Sequence, residues 1–205
     1  DTEHSTVGLD TVKAMLQAAA PYPTQTVVRP GWNDAVEIKR ILDAGAMSIL
    51  VPYVQNAEEA ARAVSAVRYP PEGTRGVAGI TRASRYGTVD NYIARANDEI
   101  CLLVQVETAE ALRNIEAIAA VPGVDGIFVG PADLAASMGF PGNAGAPAVR
   151  AAILDAIARI RAAGKPAGIL SLDPDLLQAA VAAGSVFTAV DVDQAILLRG
   201  ARALV

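Results

Sequence analysis

Two carboxylates that end apolar runs set the chemistry open to this chain. The run Cys101 to Val106 leads into Glu107, and the run Gly126 to Val129 passes through Gly130-Pro131-Ala132 to Asp133. Between them, Ala109 to Ala120 places apolar residues at helical spacing, so the stretch reads as strand, helix, strand with a parallel return. Neighbouring parallel strands open on one rim of a sheet, which brings Glu107 and Asp133 toward one point. Facing carboxylates repel unless a positive charge sits between them. Both offer hard oxygens, and no thiolate or imidazole pair accompanies them, which favours Mg²⁺ or Mn²⁺ over structural zinc.

Other groups could join them. Arg29 ends the β-branched run Thr26 to Arg29 and precedes Pro30; its planar fork suits an enolate or carboxylate oxygen, with an exposed rim charge as the alternative. The only histidine, His4, stands in Asp1-Thr2-Glu3-His4. Either it is an exposed bystander, or the segment is the exit of a strand in which Asp1 holds the imidazole and His4 is a general base. Gly130 to Asp133 offers backbone N–H groups at a turn into a helix, suited to a small anion. Glu107 and Asp133 also have structural alternatives, opening or capping the helices that follow. Asp43 falls in the last turn of a predicted helix, where a negative charge opposes the dipole by a few tenths to about 1 kcal/mol, so it is either solvated or needed elsewhere.

The elements that must position these groups alternate strictly. Six strands centre near residues 27, 49, 103, 127, 168 and 188, with helices over 7–20, 33–43, 57–67, 89–97, 109–120, 148–163, 174–183 and 194–204. Short turns with Gly45, Gly123, Gly164 and Gly184 return helices to strands. Alternation of this kind gives a parallel sheet, either open and doubly wound or an eight-stranded barrel with units missing. Residues 69–87 form the longest irregular segment, and Arg75, Arg82 and Arg85 on it either greet an acidic substrate or, as expected, are simply exposed. Its glycines do not make a nucleotide loop, because no helix follows in place and no acidic residue completes the fingerprint.

With 205 residues, 52% apolar, the chain can bury a full core. A net charge of −5 and scattered arginines argue against a nucleic-acid partner. One cysteine, inside a predicted strand, excludes an internal disulfide and suits a reducing cytoplasm. No run approaches the roughly 18 apolar residues of a membrane span, and residues 1–6 lack the pattern of a signal peptide. The chain opens without Met on polar residues that read as the end of an element, so upstream units are expected.

Seven segments then carry a resemblance: Asp1-Thr-Glu-His4, Val27-Val-Arg-Pro-Gly-Trp-Asn-Asp34, Leu50-Val-Pro52, Arg68-Tyr-Pro-Pro71, Arg75-Gly-Val77, Val104-Gln-Val-Glu-Thr108 and Val129-Gly-Pro-Ala-Asp-Leu134. In order and over essentially the whole chain, they resemble the class II, metal-dependent pyruvate aldolase family. The resemblance implies an α/β fold, a (β/α)8 TIM barrel of the phosphoenolpyruvate/pyruvate type. It would be N-terminally truncated to about six βα units, with residues 1–205 as one domain lacking the first strand, first helix and most of the second strand. The implied reaction cleaves 4-hydroxy-2-oxo acids, of the 4-hydroxy-2-oxoheptanedioate type, to pyruvate and an aldehyde. Aldol cleavage of 2-keto-3-deoxy sugar acids is the neighbouring option. A citrate-lyase type would want a basic CoA groove that the sequence does not offer, and a fragment that only assembles with other subunits is the reading of another class.

By the same resemblance Glu107 and Asp133 would ligate Mg²⁺, Mn²⁺ or Co²⁺, and the Ala132 and Asp133 backbone would hold the substrate carboxylate. Gln105 would line the site and Arg29 would stabilise the enolate. Asp1 and His4 would form the acid/base pair, supported by Asp43 of the partner subunit, and Val77 and Leu170 would contact the aldehyde side. A Schiff base is not implied, since none of Lys13, Lys39 and Lys165 ends a strand. The family exchanges its last helix between partners and assembles as a hexamer, a trimer of dimers.

Overall fold

A computed structural model describes residues 1–204, so Val205, the last residue of the expected domain, lies outside the described residues. Among these residues six strands form one sheet: β1 (Val27–Val28), β2 (Ser48–Val51), β3 (Cys101–Val106), β4 (Gly126–Val129), β5 (Ala167–Leu170) and β6 (Ser185–Ala189). Every neighbouring pair is parallel and the spatial order is the chain order, β1 through β6. A doubly wound sheet reverses its order at a switch point. Unbroken order is that of a barrel wall, and here it forms an α/β half-barrel whose edges are β1 and β6.

Helices α1 (Leu9–Ala19), α2 (Ala35–Asp43), α3 (Ala57–Val67), α4 (Tyr92–Glu99), α5 (Ala109–Arg113), α6 (Ile115–Ala119), α7 (Pro131–Ser137), α8 (Pro147–Ala162), α9 (Pro174–Ala182) and α10 (Asp193–Arg202) fill the connections. The local chemistry explains where several begin. Asp34 Oδ1 accepts from the Val36 and Glu37 N–H groups, Asn56 from Glu59, Thr108 from Ala111, and Asp173 from Asp175 and Leu176. Each such cap satisfies N–H groups that the first helical turn leaves without partners. The continuous helix expected over 109–120 is instead two short helices. Asn114 breaks it because its Nδ2 donates to the Gln55 carbonyl at 2.8 Å, a bond that places its backbone between the two.

Strand register separates two faces. Leu102, Val104, Val106, Ile127, Val129, Ala167 and Ile169 point to the helical layer and are buried with Ile38, Ala63, Ile115, Ile118, Val149, Ile153 and Ile157. Each Leu or Ile so buried contributes about 2 kcal/mol. Alternation puts the complementary set on the inner face: Arg29 beyond Val27, Leu50, Gln105, Phe128, Gly168 and Leu170. Phe128 and Phe187 pack there with ring centroids 5.5 Å apart. Gly168 makes room for them, since a Cβ would approach Phe128 Cδ2 to 2.6 Å.

Candidate active site

The carboxyl ends of the strands form the rim on which the site is built. Residues 105 and 107 are two apart on β3 and its extension, so both side chains face inward, and Gln105 Nε2 donates to Glu107 Oε2. The other oxygen, Oε1, accepts the Tyr53 N–H at 2.8 Å from the loop after β2. Glu107 is 1% exposed. Burial with only neutral partners pushes its carboxyl up to about 7, and the nearby charges of Glu3 and Asp133 add to the rise. Gly130 completes the cradle: a Cβ there would lie 2.5 Å from Glu107 Oε2 and 2.9 Å from Gln105 Nε2. Asp133 lies in the first turn of α7, half-buried, with Ala132 exposed beside it.

Arg29 lies across the inner face from this carboxylate. Its Nε and Nη2 donate to the two oxygens of Asp1 at 2.9 and 2.8 Å. Nη1 reaches Gln105 Oε1 at 3.5 Å and Glu3 Oε2 at 2.9 Å, the latter an ion pair without the angle of a hydrogen bond. The segment 1–4 reaches this place by pairing with the end of β1, where the Thr2 N–H donates to the Arg29 carbonyl at 2.9 Å. From there the Asp1 and Glu3 carboxylates both reach the Arg29 guanidinium. The expected contact between Asp1 and the imidazole is therefore corrected. Asp1 is committed to Arg29, and His4, with a side chain 60% exposed, has Glu3 Oε2 at 3.5 Å from its Nε2. Glu3 is the residue that sequence reasoning missed; the period-two spacing of acids in Asp1-Thr2-Glu3 was its signal.

Glu107, Asp133, Gln105, Arg29, Asp1 and Ala132 thus share one rim with Leu170, the last residue of β5. Asp43 and Val77 do not. Asp43 ends α2 before the turn into β2, at the opposite rim, and Val77 is exposed in the loop that leads toward α4. Arg75 on that loop is also corrected: it is not exposed but 2% accessible, with Nη2 2.9 Å from Asp43 Oδ1 and its guanidinium carbon 4.3 Å from the Tyr69 ring centroid. A cavity of about 410 Å³ lined by Thr26, Met47, Arg82, Tyr86 and Tyr92 also lies at that far rim, away from the carboxylates.

The donor set fits a hard divalent cation. The Glu107 carboxylate is buried with neutral partners only, and the charges of Glu3 and Asp133 raise its pKa further, a negative environment that a bound ion would relieve. Among the described residues no group of three or more His, Cys, Asp and Glu side chains converges tightly enough to enclose an ion. Glu107 and Asp133 would then hold it with substrate and water in the remaining positions, the arrangement usual for Mg²⁺.

Comparison with known proteins agrees with this geometry. The family model described as HpcH/HpaI aldolase/citrate lyase matches residues 1–199. The chain is 61% identical over 203 residues to a hydroxypyruvate/pyruvate aldolase of Sagittula stellata, covering 99% of this chain and 80% of that protein. It is 54% identical over 205 residues to a 4-hydroxy-2-oxo-heptane-1,7-dioate aldolase of Salmonella heidelberg, covering all of this chain and 78% of that one. A crystal structure of an HpcH/HpaI aldolase/citrate lyase family protein from Burkholderia cenocepacia superposes with a TM-score of 0.94 at 38% identity, over 98% of this chain and 81% of that one. With the sheet order, the acidic rim and these matches in agreement, the chain belongs to the HpcH/HpaI aldolase/citrate lyase family and is a carbon–carbon lyase of the aldolase type.

Proposed function

We propose that the chain cleaves 4-hydroxy-2-oxo acids, of the 4-hydroxy-2-oxoheptanedioate type, to pyruvate and an aldehyde, and that it does so with a divalent cation at Glu107 and Asp133. The observation that carries this is the buried Glu107, held by two neutral donors on the rim that also carries Asp133, with Gln105 between it and the Arg29 guanidinium. When bound, Mg²⁺, Mn²⁺ or Co²⁺ supplies Lewis-acid polarisation of the substrate's keto group. The rest falls to the chain itself. His4, paired with Glu3, takes the proton of the 4-hydroxyl as the C3–C4 bond breaks and the aldehyde leaves. Arg29, fixed by Asp1 and Glu3, stabilises the enolate oxygen that develops, and a proton returned to C3 completes pyruvate. The Ala132 and Asp133 backbone holds the substrate carboxylate, and Leu170 meets the aldehyde side. Val77 and Asp43 serve the same pocket only from a second copy.

The test is pyruvate release from 4-hydroxy-2-oxoheptanedioate, followed by a coupled assay. EDTA is expected to abolish it and Mn²⁺ or Mg²⁺ to restore it; full turnover in chelator refutes the reading. The name of the Sagittula relative favours a second donor, hydroxypyruvate. Aldol addition with each donor, and cleavage of 2-keto-3-deoxy sugar acids, rank the substrates directly.

A further inference from the structure

Tyr53 has a backbone that its side chain does not explain. Its φ of +57° lies in the left-handed region, where glycine and asparagine are at ease and a bulky aromatic residue is rare. Such an outlier persists only where its surroundings over-determine it. They do so here. On one side Pro52 follows the buried end of β2; on the other the Val54 N–H donates to the Gln105 carbonyl at 3.0 Å. Gln55 is held three ways, by Thr108 Oγ1 on its side chain at 3.1 Å, by Asn114 Nδ2 on its carbonyl at 2.8 Å and by Glu59 Oε2 on its N–H at 2.9 Å. The Tyr53 ring packs against Trp32, centroids 5.4 Å apart and planes tilted by 30°. Trp32 is anchored in turn by its neighbour, since Asn33 Nδ2 donates to the Glu59 carbonyl at 3.0 Å.

This conformation delivers one thing to the site: the Tyr53 N–H on Glu107 Oε1 at 2.8 Å. With Gln105 on the other oxygen, that bond fixes the plane of the carboxylate. A backbone donor that orients a ligating carboxylate acts as the outer shell of a metal site, where a lost contact costs about 10- to 100-fold in metal affinity. We infer that Tyr53, braced by Trp32, is a positioning residue for the cation at Glu107: its left-handed backbone and the aromatic stack together hold the carboxylate in its ligating orientation. The inference rests on the metal site proposed above. It adds that the stacked rings of the β1 and β2 loops, which lie outside the ligand set, set the affinity for the ion.

Calorimetric titration of the full chain with Mn²⁺ alone tests it, with three variants beside the parent. Tyr53→Val cannot sit comfortably at positive φ and is expected to bind Mn²⁺ about tenfold or more weakly. Tyr53→Asn also loses the ring and with it the stack on Trp32, but accepts the left-handed backbone, so it is expected to weaken Mn²⁺ by about threefold, as Trp32→Ala does, and less than Tyr53→Val. Trp32→Ala removes only a ring that is 54% exposed, so it keeps the test open should the Tyr53→Val chain not fold; it is expected to weaken Mn²⁺ by about threefold or more. Trp32 is also the only tryptophan, so its fluorescence in the parent is expected to change on Mn²⁺ addition and to saturate with the calorimetric Kd. Equal Mn²⁺ affinity across parent, Tyr53→Val and Trp32→Ala overturns the inference and leaves the metal reading standing. A parent chain that binds no Mn²⁺ at millimolar concentration overturns both.

Discussion

Between pH 4.5 and about 7, burial lets Glu107 keep a proton in the folded chain that it loses in the unfolded one. Its carboxyl is ordinarily near 4.5 and is pushed up to about 7 by burial. Between those values the folded chain binds more protons than the unfolded chain, so stability falls as pH rises through the window and levels off above it. Two and a half pH units correspond to about 3 kcal/mol at most. Glu107→Gln removes this penalty. Without metal, urea unfolding of the variant and the parent is expected to coincide near pH 4.5 and to diverge in the variant's favour by pH 8; a parent that is equally stable at both values would put Glu107 in solvent. The cation changes the sign of the comparison, because it binds the ionised form and displaces the proton. Arg29 is the other residue on which the chemistry turns. Its guanidinium is fixed on two sides by Asp1 and Glu3, so its charge is placed before the reaction begins. Arg29→Ala is expected to lower the turnover number for pyruvate release by about 10²-fold. An unchanged rate would remove Arg29 from the mechanism.

At the scale of the element, strands do the positioning and loops do the tuning. Period-two alternation puts Arg29, Gln105 and Glu107 on one face, and that much is legible in the sequence once the strands are placed. The rim shared by Glu107 and Asp133 was legible for the same reason: both follow apolar runs joined by one parallel return. Three features were not legible, because each is decided by a contact remote in sequence. Asn114 splits a periodic helix to reach Gln55. Tyr53 takes a glycine-like conformation that no residue type announces. Arg75, in a segment of Gly, Pro and Arg that reads as exposed loop, is drawn inside by Asp43 and Tyr69. That ion pair also answers why a carboxylate sits at the wrong end of the α2 dipole. Removing one partner of a buried pair leaves the other uncompensated, a loss of about 3–5 kcal/mol in a closed interior. The Asp43 side chain is 23% exposed, so Arg75→Ala is expected to fall below that range, at about 2 kcal/mol in urea unfolding, with faster proteolysis confined to residues 76–91. A variant as stable and as resistant as the parent would mean that the loop is held by other contacts.

The whole molecule leaves two questions that one experiment addresses together. Among the described residues α10 buries none of its side chains, and Ile196, Leu197 and Leu198 stand 55%, 75% and 50% exposed on it. Three consecutive apolar residues exposed on one turn suit an interface better than a finished exterior. The occupant we propose for it is a second copy of this chain. Separately, Asp43, expected to support the acid/base pair, and Val77, expected on the aldehyde side, lie at the rim opposite Glu107, so within one copy they cannot reach that site. If both belong to the reaction, assembly is part of catalysis. Leu197→Glu places a charge on the exposed face of α10 without touching the sheet or the acidic rim. Its expected outcome is a smaller particle by sedimentation, unchanged Mn²⁺ affinity at Glu107, and a turnover number lowered in step with the loss of mass. Full turnover in a dissociated chain would make each half-barrel a complete catalyst and leave Asp43 and Val77 without a role in it.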